Sequence, residues 1–117
     1  MGGGFEFHRE SFEGSVKRYR NSRLEVTVRD YDDHDGSWDP KQVVITAKTM
    51  KFSGMKYAIA PTASGLLITG SSDLGTYCLS LRAIDRLTDE LKVLKQDLLD
   101  IEDLIRDLFP GVTIADR

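Results

Sequence analysis

Between Leu24 and Arg29 apolar and polar residues alternate one for one, Leu24, Val26 and Val28 against Glu25, Thr27 and Arg29. A period of two puts each set on its own face of a strand, so this stretch reads as a half-buried strand. A second extended run, 41–52, changes phase: Val43, Ile45 and Ala47 share one face, Met50 and Phe52 the other. A single flat strand cannot bury both sets, which predicts a bulge or bend near Lys48–Thr49. Ser53–Gly54 reads as a two-residue turn, and Met55, Tyr57 and Ile59 form the next inward set. Leu66–Thr69 and a run containing Tyr77, Leu79 and Leu81 supply further strands, with Gly70–Gly75 as the turn between them. Phe5 and Phe7 suggest a short strand at the start, while Ser11–Arg20 suits helix and strand equally.

After Arg82 the period changes. Ile84, Leu87, Leu91, Leu94, Leu98, Ile101, Ile105 and Leu108 follow steps of 3 and 4 in strict alternation, four heptads of apolar stripe. Pro110-Gly111 ends the run. A helix over 83–109 is expected, about 40 Å long at 1.5 Å per residue. The whole chain, 1–117, is therefore expected to be a single α+β domain: an antiparallel meander of about five strands followed by one long C-terminal helix. Gly2–Gly4 read as a loose end outside that fold. The stripe serves one of two purposes, covering the chain's own sheet or joining helices of two copies. Its unbroken length favours the second, so homo-oligomerisation through Ile84–Leu108 is expected.

Composition narrows the field without naming a function. One cysteine, Cys78, excludes an intrachain disulfide, and a reducing, cytoplasmic setting is expected. The opening MGGGFEFHRE has neither a basic nor an apolar signal region. No apolar run approaches the roughly 20 residues of a membrane helix, so no membrane partner is expected. Net charge is −3, unevenly spread. Residues 30–39 carry five anions and no cation, whereas residues 40–81 carry four lysines against Asp73 alone. A net-acidic chain can thus still present a basic surface.

The acidic stretch DYDDHDGSWDP, residues 30–40, raises the question of a metal. With Gly36 at the glycine position of an EF-hand loop, Tyr31 and Gln42 fall where carboxylates are required. One histidine among aspartates does not make a zinc site either. A solvated loop is the expectation, with no metal and no cofactor, and Trp38 is expected to fold back on the core. No nucleophile–base pair is visible, and GSSDLG is neither a dinucleotide fingerprint nor a P-loop. The chain is read as non-enzymatic.

Two basic groups remain as candidate ligand contacts. A two-residue turn at Ser53–Gly54 sets Lys51 opposite Lys56 on the outward face, a like-charge pair that an anion would bridge. The segment SVKRYRNSR brings Lys17, Arg18, Arg20 and Arg23 around Tyr19, a mixture suited to phosphate contact with base stacking. These features support a small homo-oligomeric binding or adaptor protein that engages a protein or small anionic ligand, in the general character of inhibitors, immunity proteins and secretion chaperones. The alternative is a single-stranded nucleic-acid binder. A curved sheet backed by a dimerising helix resembles, in element order alone, the small single-strand-binding coactivators and Whirly-type proteins.

Overall fold

The alternating segments fold as strands in one sheet. The structure, a computed structural model, describes residues 8–13, 16–30, 38–39, 43–50, 54–72, 75–78 and 89–115, and the structural statements below concern these. The elements are β1 (His8–Glu13), β2 (Val16–Arg20), β3 (Leu24–Asp30), β4 (Val43–Thr49), β5 (Lys56–Thr62), β6 (Gly65–Ser72), β7 (Gly75–Cys78), α1 (Asp89–Leu108) and β8 (Ile114–Ala115). Strands β1 to β7 neighbour one another in chain order, all antiparallel, and β8 returns parallel to β6. The expected meander with one C-terminal helix is what forms. The strand count among the described residues is larger than the expected five, because His8–Glu13 and Val16–Arg20 form two strands and Ile114–Ala115 adds another; Gly70–Ser72 continues β6 instead of turning.

One face of this sheet makes the core. Val26 and Val28 of β3 lie opposite Ala47 and Ile45 of β4, Leu24 and Val43 extend the same face opposite Thr49 and Asp30, and β6 adds Leu66 and Ile68. The helix closes this face. Leu94, Leu98, Ile101 and Ile105 have no exposed surface, and Leu104 and Phe109 are buried with them. The heptad stripe is therefore occupied by the chain's own sheet, the first of its two purposes. An oligomer joined through Leu91–Leu108 would require the helix to leave that sheet; Ile84 and Leu87 lie outside the described residues. Trp38 packs edge-on to Phe109, ring centroids 5.7 Å apart, so it folds back on the core as expected.

The phase conflict in the second run is settled by ending the strand. β4 stops at Thr49, and Met50 is 38% exposed outside the core. The connection to β5 corrects a second expectation. The registered pair is Ala47 with Tyr57, whereas a two-residue turn at Ser53–Gly54 demands Met50 with Tyr57. Gly54 does have positive φ, 71°, as a turn requires. Pairing does not run on from Ala47. Two steps further, in register, Val43 would face Pro61, which has no N–H to give, and the Val43 N–H already donates to the Asp39 carbonyl at 3.0 Å.

Candidate functional site

The two faces of the sheet hold different chemistry. On the core face, polar groups are tied up in one clasp. In the β2–β3 turn the Asn21 side-chain oxygen accepts from the backbone N–H of Arg23 and Leu24, at 2.8 and 2.7 Å. That local lock projects Arg23 toward the helix. Its Nε and Nη2 each donate to Asp97 at 2.9 Å, a fork that fits a carboxylate. Tyr57 Oη donates to the same carboxylate at 2.6 Å, and Met55 Sδ lies 3.7 Å from that hydroxyl. Asp97 is 1% exposed. Burial, and then the bond to Asp97, raise the Tyr57 phenol well above its ordinary value, so it stays a donor. Gly70 makes room for the ring: a Cβ there would lie 3.0 Å from Tyr57 Cε1.

One helical turn on, Asp100 is buried without such a fork. Gln96 Nε2 donates to it at 2.7 Å. Burial pushes its carboxyl up to about 6, Asp97 and Asp103 push the same way, and Gln96 and Arg23 oppose them. These are the properties of a structural joint between turn, strand and helix.

Among the described residues the other face is open, and register arranges it in three rows on β2 to β4 and three on β5 and β6, the two sets joined at the Ala47–Tyr57 pair. The first holds Arg20, Glu25 and Lys48 on β2 to β4, and Lys56 and Ser71 on β5 and β6. Because Ala47 pairs with Tyr57, Lys48 and Lys56 fall beside one another on this face. The second row holds Arg18, Thr27 and Thr46, then Ala58 and Thr69. The third holds Val16, Arg29 and Val44, then Ala60 and Leu67. In these rows five cations stand against one carboxylate, Glu25. Glu25 accepts from Arg20 Nε at 3.0 Å and lies 3.4 Å from Lys48 Nζ. It is 12% exposed, while the Lys48 side chain keeps 72% of its surface in water.

Strand geometry thus divides the residues singled out from the sequence. Arg18, Arg20 and Lys56 stand on the open face. Tyr19 turns inward opposite Val26 and is buried, and Lys17, opposite Val28, is half-buried on the same side. Arg23 is bound to Asp97. Lys51 lies outside the described residues, and the like-charge neighbour of Lys56 is Lys48. Arg29 and Lys48 join the site although the sequence reading passed over them. The signal was present: each alternates with core residues of its own strand, Arg29 with Val28 and Lys48 with Ala47. Among the described residues no group of His, Cys, Asp and Glu is placed to hold a metal ion, and no helix is long and apolar enough to cross a membrane. Residues 31–37 of the aspartate loop lie outside the described part. Comparison with protein-family models, with curated proteins and with solved structures returned no match.

Proposed function

We propose that this protein is a non-catalytic binding module of the cytoplasm whose open sheet face engages an anionic partner. One observation carries the reading: across β2 to β6 that face holds five cations and one carboxylate, although the whole chain is net negative. Side chains needed for stability point the other way, so the charge on the open face is not a by-product of the core. Glu25 lies against Arg20 and Lys48 and offsets one of their two charges, so an excess of cations remains for an anion. Lys48 and Lys56, side by side, repel one another until a carboxylate or phosphate lies between them. Thr27, Thr46 and Thr69 add hydroxyl donors along the middle row.

The inward turn of Tyr19 removes the stacking group on which the nucleic-acid reading depended, and no aromatic side chain stands in the three rows. This favours a partner recognised by charge and not by base stacking. The test is fluorescence anisotropy with labelled polyglutamate. Binding is expected to weaken steeply between low salt and about 0.5 M salt, and the Lys48→Ser, Lys56→Ser double variant is expected to bind about tenfold more weakly. Salt-independent binding, or unchanged affinity in the double variant, would exclude this face.

A further inference from the structure

We infer that the open face seats an acidic, amphipathic α-helix of a partner protein, lying across strands β2 to β6. The inference rests on the reading above and names the partner's shape. Row spacing carries it. Arg20 and Val16, Glu25 and Arg29, Lys48 and Val44, and Lys56 and Ala60 are each four residues apart on one strand. The charged row and the third row therefore lie about 13 Å apart, at roughly 3.3 Å per residue. An α-helix with its side chains is about 10–12 Å across, so its two flanks reach both rows at once. An added extended chain covers only about 5 Å.

The two rows offer different contacts. The first offers Lys48 and Lys56 to carboxylates. The third offers apolar surface: Val44 is 48% exposed, one of two large apolar side chains left in solvent among the described residues, and Ala60 is exposed beside half-buried Leu67. Arg29 stands between Val16 and Val44 in the same row. A phosphodiester chain would satisfy the first row and leave Val44 in water. A helix with glutamates on one flank and leucines on the next satisfies both. Five strands at about 4.8 Å spacing span about 19 Å, the length of roughly 13 helical residues.

Three labelled probes test this against the intact chain: a helical peptide of about 14 residues with leucine on one face and glutamate on the adjacent flank, polyglutamate of matched charge, and oligothymidylate. The expected result is that the helical peptide binds about tenfold more tightly than either other probe. Val44→Ser is expected to weaken the peptide about fivefold and leave polyglutamate unchanged. Thermal melts of Val44→Ser should match the parent, because this side chain is outside the core. Equal affinity for the peptide and polyglutamate, or a peptide indifferent to Val44→Ser, overturns the helix and leaves the anionic-partner reading standing. Oligothymidylate binding most tightly overturns the helix in favour of nucleic acid. Failure of all three probes overturns both readings.

Discussion

Strands β3 and β4 each serve two surfaces. Leu24, Val26 and Val28 point to the helix and lose nearly all contact with water. Their immediate neighbours Glu25, Thr27 and Arg29 point the other way and keep it in part or in full. On the covered face polar groups are allowed only when satisfied: Asp97 takes three hydrogen bonds, from Arg23 and Tyr57. On the open face charges stand at higher density with looser pairing, and Val44 is left exposed. Burial dictates the composition of the first face. Nothing in the stability of the fold dictates the second, so its cations and its exposed valine are where function has room to be written.

The contrast breaks most visibly with truncations of equal chemistry on opposite faces. Leu98→Ala empties a fully buried position and is expected to cost about 3–4 kcal/mol. Val44→Ala is expected to stay within about 0.5 kcal/mol. Urea denaturation of the two variants measures the difference, and comparable losses would mean that the open face is covered by something else. Next in size is the clasp. Arg23→Ala leaves the Asp97 carboxylate buried with one donor and is expected to cost about 2 kcal/mol, less than for a wholly buried pair because the arginine is 42% exposed. The matching change on the open face, Arg20→Ala, is expected to cost less than about 1 kcal/mol.

A smaller effect depends on pH. The Asp100 carboxyl has its folded value raised to about 6 from an ordinary 3.8. Between those values the folded state binds more protons than the unfolded one, so stability falls as pH rises through that window. Asp100→Asn keeps an acceptor for Gln96 and removes the charge. It is expected to melt a few degrees higher than the parent at pH 8, with no difference at pH 4. A parent whose stability rises steadily from pH 4 to 7 with no change in Asp100→Asn would contradict the placement of this carboxylate. Smallest in stability, and most useful for function, is Glu25→Gln. It is expected to leave the melt within about 1 kcal/mol and to strengthen polyglutamate binding several-fold, because the carboxylate that accepts from Arg20 and lies beside Lys48 is neutralised.

The local periods carried much of this fold. Period two between Leu24 and Arg29 names the buried and open faces of β3, and the 3–4 steps from Leu91 to Ile105 name the buried stripe of α1. Both follow from backbone geometry alone, since side chains repeat every two residues in a strand and every 3.6 in a helix. What period cannot say is which surface covers a stripe. The unbroken heptads favoured a second helix, yet Leu94, Leu98, Ile101 and Ile105 are buried under the chain's own sheet.

The site shows the same division at the level of single residues. Sequence left Ser11–Arg20 between helix and strand; once Val16–Arg20 is strand, alternation obliges Arg18 and Arg20 to share a face and Tyr19 to take the other. Sequence did not determine which of those faces meets the core, since SVKRYR carries no apolar majority on either. Pairing with β3 settled that, setting Tyr19 against Val26. Arg23 found its partner 74 residues away on the helix, a distance over which no local pattern speaks. Lys56 acquired Lys48 as its neighbour because register between β4 and β5 depends on how the whole connection closes, and a shift of three residues exchanges one lysine for another. Local chemistry chose the elements and their faces; long-range contact chose the partners, because contact free energy is gained only once distant segments have been brought together.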